Sequence, residues 1–456
     1  MDTTLVADLP RVHKVTPKDV VIASWICFFA WTFAVYDFVL FGNLLPVLAH
    51  DFGWSAATAT GANTWVTAGT AMVAFGVGPY VDRAGRKKGI VVAVIGAAIF
   101  SLLTAPMGWV MGLTGGLGFV LLIVIRSLAG LGYAEQAINA TYLGEIFALH
   151  YSSPDQARRR GFIYSLVQSG WPVGSVLAAA SIAVILPMGG WEWCFIVAVF
   201  PAVFMVIAAR HLKESPQFLA RRHAEELLAA GRRPEALAYA RASGISLEET
   251  STPAAAAFKG ESLRSTLVIG ISFMLNWFGV LAFLILGTSL LTAETGKAIA
   301  FDNALTILII SNATAFCGYL FFGWLGDRIG RRNAIGLGWL LCAASFQAML
   351  MAPNGDFNLI IAFYSAGLFF MIGPYSALLF FSAESFPVHT RATGGSLINA
   401  AGQVGSIIAG MLITASLTRG WNWIDASFYW GVLPILASGL LIFAARNVDP
   451  RHVRRD

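Results

Sequence analysis

Long apolar runs recur along the whole chain and limit its possible folds more than any other feature. Val20–Gly42 contains a single charged residue, and Gly89–Pro106 contains none. Runs of about 18 or more apolar residues are typical of membrane-spanning helices. Of the 456 residues, 57% are hydrophobic and only 12% are charged, which excludes a string of soluble domains. Twelve spans are predicted, over residues 21–48, 57–79, 89–107, 117–144, 161–186, 193–209, 265–291, 303–325, 333–352, 358–383, 393–417 and 425–446.

Basic residues are concentrated on one side of the predicted membrane. With both termini on the same side, that side receives 27 of the 30 lysines and arginines. Lys297 and Arg419 lie on the other side, and Arg126 lies within a span. Because basic loops stay cytoplasmic, both termini are predicted to be cytoplasmic. The excess of basic residues behind the net charge of +5 therefore sets the orientation, through its distribution, and implies no nucleic-acid partner.

A ten-residue motif occurs once in each half of the chain. Gly78–Lys87 and Gly323–Arg332 both read G-x-x-x-D-R-x-G-R-[K/R], and they follow the second and the eighth span. Glu145 at the end of the fourth span and Glu384 at the end of the tenth span are a second equivalent pair. Further equivalent pairs are Gln168 with Asn399 and Gly174 with Gly405. The sequence therefore predicts an all-α membrane protein of twelve transmembrane helices in two pseudo-symmetric six-helix bundles.

The predicted organisation follows from the spans and the polar segments between them. A cytoplasmic tail covers 1–18, the first six-helix bundle covers 19–209, and the second covers 265–446. The central loop over 210–264 is cytoplasmic and has the composition of two short helices, and a second tail covers 447–456.

Four further segments carry a resemblance to a known family. They are Tyr36-Asp37-Phe38-x-x-x-Gly42, Arg126-x-x-x-Gly130 followed by Glu135 and Glu145, Lys213-Glu214-Ser215-Pro216, and Arg391-Ala-Thr-Gly394. Together with the duplicated motif they make the chain resemble the major facilitator superfamily. The groups it resembles are the metabolite:H+ symporters, the sugar porters and the aromatic-acid and sialate symporters. Ala34 and Val35 depart from the Glu-Trp that many metabolite:H+ symporters carry there.

Three ionisable residues lie well inside the predicted spans, namely Asp37, Arg126 and Glu135. Charges in the membrane are costly and point to functional sites. Asp37 is 19 residues after Lys18, and Arg126 is 19 residues before Glu145. At about 1.5 Å per residue, both lie about 28 Å from the cytoplasmic boundary. We therefore expect Asp37 and Arg126 to pair.

The functional interpretation of this pair is proton coupling. Burial disfavours a charged carboxylate and a nearby arginine favours it, so forming and breaking the pair lets Asp37 bind and release a proton. The resemblance to sugar porters implies the same role, and a purely structural ion pair is the alternative. Glu135 is nine residues after Arg126, and at about 100° per residue it lies on the opposite helix face. It is either an acid that packs against a neighbouring helix or a second proton or substrate site.

Neutral polar and aromatic residues in the spans predict a central substrate site. Transporter sites form at the midplane between the halves, and small ligands need a few polar groups in an apolar wall. Each residue has hydrogen bonding between helices as its alternative role. The candidate substrate-binding residues are Tyr36, Arg126, Gln168, Trp171, Asn276, Trp277, Asn312, Tyr375, Asn399 and Gln403.

The duplicated motif predicts a gate at the cytoplasmic face. Its arginines, set beside its aspartates, can pair with the acids that end spans four and ten, and breaking these bridges would let the face open. Orientation alone is the alternative role of the arginines, since exposed bridges contribute only about 0–1 kcal/mol. The candidate gate residues are Asp82, Arg83, Arg86, Glu145, Asp327, Arg328, Arg331, Glu384 and Arg391.

Secondary transport fits these residues better than the other classes. All seven histidines lie in loops, tails or span ends without a metal-binding spacing, which argues against a membrane enzyme. The sequence lacks a Walker loop, so ATP-driven pumping has no support. The remaining alternative from another class is a membrane receptor.

We expect a proton-coupled symporter that imports a small organic acid by alternating access. Arg126 is the only cation in the spans, and the aromatic residues suit a carboxylate with an apolar body. A sugar or polyol symporter or facilitator is the alternative. We expect no cofactor apart from the coupling proton, no metal site, and a monomer in a bacterial inner membrane whose partners are the substrate and the lipid bilayer.

Overall fold

The computed structural model describes residues 15–150, 163–243, 245, 257–386 and 391–447, and it is helical almost throughout these ranges. The first half contains α1 (Pro17–Asp51), α2 (Ala56–Ala84), α3 (Arg86–Thr104), α4 (Met107–Thr114), α5 (Gly116–Ala129), α6 (Glu135–His150), α7 (Gly170–Gly189), α8 (Trp191–Val197) and α9 (Val199–Ala208). The central segment contains α10 (Pro216–Ala229) and α11 (Arg233–Ala242). The second half contains α12 (Gly260–Gly279), α13 (Gly287–Thr292), α14 (Phe301–Ile329), α15 (Arg331–Met351), α16 (Phe357–Ile372), α17 (Tyr375–Glu384), α18 (Arg391–Thr418), α19 (Trp423–Ser427) and α20 (Leu433–Leu441).

Within the described ranges these helices make up twelve segments, six in each half, as the sequence predicts. Nine helical stretches of the described chain are long and apolar enough to cross a membrane. One of them, Ile163–His211, contains two segments that separate at Gly190, where φ is +82°. Two segments contain π-helical stretches, Val280–Ile285 between α12 and α13 and Phe428–Val432 between α19 and α20.

The start of α1 differs from the predicted span. The helix begins at Pro17, four residues before the predicted boundary at 21, because a capping box fixes its first turn. The Thr16 hydroxyl accepts a hydrogen bond from the Asp19 amide at 3.2 Å, and the Asp19 carboxylate accepts one from the Thr16 amide at 3.0 Å. These bonds satisfy two of the amide groups that a helix start leaves without partners. Local capping therefore extends the helix beyond its apolar run.

Two glycines of the repeat support equivalent helix contacts in the two halves. In the first half α7 packs against α1, and in the second half α18 packs against α12. A Cβ atom at Gly174 would overlap the carbonyl oxygen of Thr32, and one at Gly405 would overlap that of Met274. The same close approach therefore occurs at the same place in both halves, which confirms the predicted pseudo-symmetry.

The two halves meet along α7 and α14, along α2 and α18, and along α1 and α13. We call the end that carries Arg86 and Arg331 the basic end, and the end that carries the loops 52–55, 293–300 and 419–422 the opposite end. Toward the opposite end, Gly42 of α1 lies against the carbonyl oxygen of Ile285. One residue further, the Thr288 hydroxyl donates a hydrogen bond to Asn43 Oδ1 at 3.1 Å. The halves are thus in direct contact toward the opposite end.

Candidate functional site

Asp37 and Arg126 form a buried ion pair between α1 and α5. Arg126 Nη2 lies 3.4 Å from Asp37 Oδ2, and Arg126 Nη1 lies 3.5 Å from Asp37 Oδ1. Arg126 is 3% exposed and Asp37 is 7% exposed. The two residues that the sequence places at one depth are therefore in contact.

The guanidinium of Arg126 is held by more than this carboxylate. Its Nη2 donates to the backbone carbonyl oxygen of Asp37 at 3.0 Å. The ring centroids of Phe41 and Phe195 lie 5.4 Å and 5.0 Å from its Cζ. Such cation–π contacts strengthen when the cation is desolvated. Neutral groups thus help to fix the position of the charge.

Ser101 of α3 is the third polar member of this cluster. Its hydroxyl donates a hydrogen bond to Asp37 Oδ1 and accepts one from Arg126 Nη1 at 3.1 Å. The residue is 1% exposed. Sequence reasoning missed Ser101, because a single serine in an apolar span carries no charge or motif that separates it from serines bonded within their own helix.

A narrow cavity lies beside the ion pair, between α1, α2 and α5. Its polar lining includes Asn63, Thr67, Thr70 and Tyr133, together with the ion pair itself. Asn63 Nδ2 is buried and has no hydrogen-bond partner in the described part of the chain. Polar cavities with such unpartnered groups are suited to water. The carboxylate of Asp37 therefore borders a polar space and not only apolar side chains.

The segment after Arg126 departs from a regular helix. Hydrogen bonds of the i→i+3 type run through residues 130–135, between the end of α5 and the start of α6. Gly130 at the start of this turn lets α2 approach closely, since a Cβ atom there would overlap the side chain of Thr70. Turns of this type advance about 120° per residue instead of 100°. The predicted angle between Arg126 and Glu135 is therefore wrong, because it assumed an uninterrupted α-helix.

Glu135 begins α6 and is fully buried. Its polar neighbours are Asn139, Cys27 and Tyr164. Among the described residues, neither carboxylate oxygen has a hydrogen-bond partner of standard geometry. Asn139 Nδ2 instead donates to the carbonyl oxygen of Cys27 at 2.9 Å. Glu135 thus lies in a separate polar group between α6, α1 and the helical turn before α7.

Aromatic side chains from both halves meet at the centre of the molecule. The rings of Trp171 on α7 and Trp277 on α12 are 6.1 Å apart and edge to face. Trp171 also contacts Trp31 at 5.7 Å, and Trp277 contacts Phe273 at 6.0 Å. Tyr133 lies 6.3 Å from Trp171. We call these five residues the central aromatic cluster.

Amide side chains lie next to the central aromatic cluster. Gln403 Nε2 of α18 donates to the Tyr133 hydroxyl at 2.9 Å, so this hydrogen bond joins the two halves. The Tyr375 hydroxyl donates to Asn276 Oδ1 at 2.6 Å, and its ring lies 5.6 Å from that of Phe273. The predicted residues Gln403, Tyr375 and Asn276 are thus brought to the same central region.

Several buried N–H groups here have no partner in the part of the chain that the structure describes. An orphaned buried donor costs about 1–3 kcal/mol, so a ligand acceptor or water is its natural complement. The groups are Trp31 Nε1, Trp171 Nε1, Trp277 Nε1, Asn276 Nδ2 and Gln168 Nε2. All but Trp31 belong to residues that the sequence predicts for substrate binding.

Four other predicted residues have no described contact with the central aromatic cluster, and Arg126, held in the ion pair with Asp37, is one of them. Tyr36 is buried on α1, in the hydrophobic core. Asn312 donates through Nδ2 to Leu308 of its own helix at 2.9 Å, although its Oδ1 has no partner among the described residues. Asn399 is exposed, one helical turn from Gln403 toward the basic end.

The first copy of the duplicated motif forms a bridge at the basic end. Arg86 Nη2 lies 2.9 Å from Glu145 Oε1, and the Arg86 guanidinium lies over the Phe218 ring at 5.2 Å. Glu214 adds a second contact, because its carboxylate accepts the backbone amide of Arg86 at 2.9 Å and that of Lys87 at 3.3 Å. A carboxylate at a helix N-terminus is favourable. The central segment is thereby tied to the start of α3.

The second copy forms the equivalent bridge. Arg331 Nη1 lies 2.5 Å from Glu384 Oε1, and Arg331 Nη2 lies 3.6 Å from Asp327. Each bridge therefore lies within one half. Arg328 lies over the Trp324 ring at 4.3 Å, outside this bridge.

Of the other predicted gate residues, Arg83 is exposed. The side chains of Asp82 and Arg391 lie outside the described part of the structure.

Comparison with known proteins identifies the family. The model of the family described as "Sugar (and other) transporter" matches residues 62–444. The chain belongs to this family of the major facilitator superfamily. It is therefore a multi-pass membrane transporter and not an enzyme, as the sequence predicts.

Similar transporters cover most of this chain. A probable 4-methylmuconolactone transporter from Cupriavidus pinatubonensis is 28% identical over 81% of this chain and 77% of its own length. A gallate transporter from Pseudomonas putida is 26% identical over 92% of this chain and 90% of its own length. Both relatives come from bacteria, which agrees with the predicted location of this transporter in a bacterial inner membrane.

A solved structure supports the fold of the transporter. An inward open structure of the xylose transporter XylE from E. coli has a TM-score of 0.70 and 15% sequence identity, covering 95% of this chain and 98% of that chain. At this identity the likeness concerns the fold alone. The twelve-segment arrangement described above is that of the major facilitator superfamily.

Proposed function

We propose that this transporter imports a small aromatic carboxylate together with protons, by alternating access between its two halves. It acts as a monomer whose termini and basic end face the cytoplasm. The observation that carries the proposal is the set of unpartnered N–H groups among aromatic rings at the centre. Trp171 and Trp277 contribute one such group each, one from each half.

The chemistry of these groups favours a carboxylate. An ionised carboxylate offers only hydrogen-bond acceptors, and indole and amide N–H groups are donors. The flat rings of the central aromatic cluster suit an aromatic body through stacked or edge-to-face contacts. Gallate, the substrate named for one relative, combines these two features. A sugar hydroxyl donates as well as accepts, so a sugar would also need acceptors beside these N–H groups, whereas an ionised carboxylate uses donors alone.

Asp37 is proposed as the proton carrier and Arg126 as the charge that tunes it. A proton moving inward supplies about 1.36 kcal/mol for each pH unit across the membrane and about 2.3 kcal/mol for each 100 mV. Glu135, buried without a hydrogen-bond partner of standard geometry in the described chain, is a second acid that proton transfer can reach. No cofactor enters this scheme.

The bridges at the basic end are proposed as the cytoplasmic gate. Arg86 with Glu145 and Arg331 with Glu384 hold the helix ends of each half together. The contacts between Gly42 and Ile285 and between Asn43 and Thr288 close the opposite end. Because the bridges and the opposite-end contacts are present together in this structure, alternating access requires the opposite-end contacts to break and the bridges to rearrange when the transporter changes state.

Uptake by cells that express the transporter tests the substrate class. We expect saturable uptake of labelled gallate or benzoate that a protonophore abolishes, and no uptake of labelled xylose or glucose. Trp277→Phe keeps an aromatic ring, although a smaller one, and removes the N–H group, so we expect KM to rise by about tenfold. Trp339→Phe is the matched control, because Trp339 is also fully buried with an unpartnered N–H in the described chain but lies on α15. Saturable sugar uptake without acid uptake would overturn the proposal.

A further inference from the structure

We propose that Ser101 is a positioning residue that sets the proton affinity of Asp37 and keeps Arg126 in place when Asp37 is protonated. The inference deepens the proposed function and rests on it, since it concerns the residue proposed to carry the proton. It starts from the three-way contact between α1, α3 and α5.

The distances in this contact show which bonds hold the arginine. Charged N–H···O bonds are commonly about 2.7–2.9 Å long. The two side-chain contacts of Arg126 with Asp37 measure 3.4 Å and 3.5 Å. Its bonds to the Asp37 carbonyl oxygen and the Ser101 hydroxyl measure 3.0 Å and 3.1 Å. The neutral oxygens are thus closer to the guanidinium than the carboxylate is.

This arrangement has a consequence for protonation. The backbone oxygen, the Ser101 hydroxyl and the rings of Phe41 and Phe195 do not change charge when Asp37 takes a proton. Arg126 therefore keeps four of its contacts in both protonation states. A buried arginine that relied on the carboxylate alone would lose its partner at each proton-binding step, which costs several kcal/mol.

Ser101 also acts on the carboxylate itself. Its hydroxyl donates to Asp37 Oδ1, and a donated hydrogen bond favours the charged form of a carboxylate. Without the hydroxyl, the charged form loses one of its stabilising contacts. Asp37 therefore stays protonated up to a higher pH when this hydroxyl is removed.

The surroundings of Asp37 leave few other groups that could produce such a change. The charged or titratable groups near it in the described chain are Arg126 on α5, Tyr133 in the turn after α5, and Tyr36 on α1, which has Cys194 of α8 near it in turn. The facing residues of α2, including Asn63, are neutral. A shift that follows removal of the Ser101 hydroxyl therefore reports on the three-way contact.

The test is an infrared titration of the purified transporter in lipid vesicles, which needs no substrate. The carboxyl band of Asp37 is identified as the band that Asp37→Asn removes. In Ser101→Ala we expect its titration midpoint to rise by about one pH unit. Ser101→Thr, which keeps a hydroxyl, should restore the original midpoint. If Ser101→Ala does not purify, Ser101→Cys carries the same expectation, because a thiol is a weak donor.

Thr104→Val is the matched control. Thr104 lies on the same helix and is fully buried, and its hydroxyl donates to the Phe100 carbonyl oxygen at 2.9 Å. In Thr104→Val, the titration midpoint of Asp37 should equal that of the unmodified protein. An unchanged midpoint in Ser101→Ala, or an equal shift in Thr104→Val, would overturn the inference and leave the role of Asp37 standing. If Asp37→Asn removes no titrating band, Asp37 does not bind a proton, and the proposed function fails together with the inference.

Discussion

Each of two buried cations in this transporter has a defined set of oxygen partners. The oxygen partners of Arg126 belong to Asp37 and Ser101, and those of Lys297 lie at the end of a helix. Lys297 lies in the loop between α13 and α14 and is 1% exposed. Its Nζ donates to the carbonyl oxygens of Leu350 and Ala352 at 2.8 Å and 2.6 Å and to Asn354 Oδ1 at 3.3 Å. The last carbonyls of a helix lack partners and carry partial negative charge, so Lys297 caps α15.

The sequence indicates the loop position of Lys297 but not its burial. Burial lowers the pKa of Lys297 below its ordinary value, and the three acceptors offset the loss of water around the ammonium group. The backbone supports this position, since the Lys297 amide donates to the Leu290 carbonyl oxygen at 3.0 Å. The partners come from a loop more than fifty residues away, and only the folded chain brings them together.

Replacing Lys297 should destabilise the second half. Lys297→Met leaves the carbonyl oxygens of Leu350 and Ala352 buried without their donor, and we expect a loss of about 2–4 kcal/mol. A lower unfolding temperature of the purified protein in detergent is the measurement. Lys259→Met is the control, because Lys259 is exposed and should leave the temperature unchanged. Equal unfolding temperatures for the two variants would contradict the capping role.

At the scale of helices, close approach between neighbouring segments depends on small residues. Gly405 lets α18 lie against the backbone of α12, and Gly174 does the same for α7 and α1. Membrane helices associate without a hydrophobic driving force between them, so such close packing is a main source of their stability. The helix pairs of the two halves are therefore sensitive to added volume at these positions.

A methyl group at one of these glycines should cost stability. Gly405→Ala would overlap the Met274 carbonyl oxygen, which belongs to the backbone and cannot rotate away. We expect a loss of about 1–3 kcal/mol, measured by thermal unfolding in detergent. Gly395→Ala on the same helix is the control, since a Cβ atom there meets nothing within 4 Å. A Gly405→Ala protein as stable as Gly395→Ala would argue against the close contact.

The sequence predicts the segments well and their interruptions poorly. Apolar runs reveal each segment because lipid demands a long stretch without charge, and the depth of Asp37 and Arg126 follows from counting residues along two such runs. The turn through 130–135 lies where Gly130 packs closely against Thr70 of another helix. The π-helical stretch Val280–Ile285 likewise lies where buried helices meet. Such local departures are decided by tertiary packing, which the periodicity of one segment does not contain.

At the scale of the whole molecule, the proposed proton site and the proposed substrate site occupy different places. The Asp37 cluster lies entirely within the first half, and the central aromatic cluster is shared by both halves. Tyr133 connects the two sites, since it lines the cavity beside Asp37 and accepts the hydrogen bond from Gln403 of the second half. Protonation in one half can therefore alter the contact between the halves through a single side chain.

Transport by Asp37→Asn measures the central claim most directly. The purified protein is placed in lipid vesicles. In one assay the vesicles contain unlabelled gallate or benzoate, and its exchange with labelled acid outside is measured. In the other assay a proton gradient drives uptake of the labelled acid. Exchange needs the substrate site alone, whereas accumulation needs the proton carrier. We predict that Asp37→Asn keeps exchange and loses accumulation at every pH. Accumulation that survives unchanged in Asp37→Asn would contradict proton coupling through this residue.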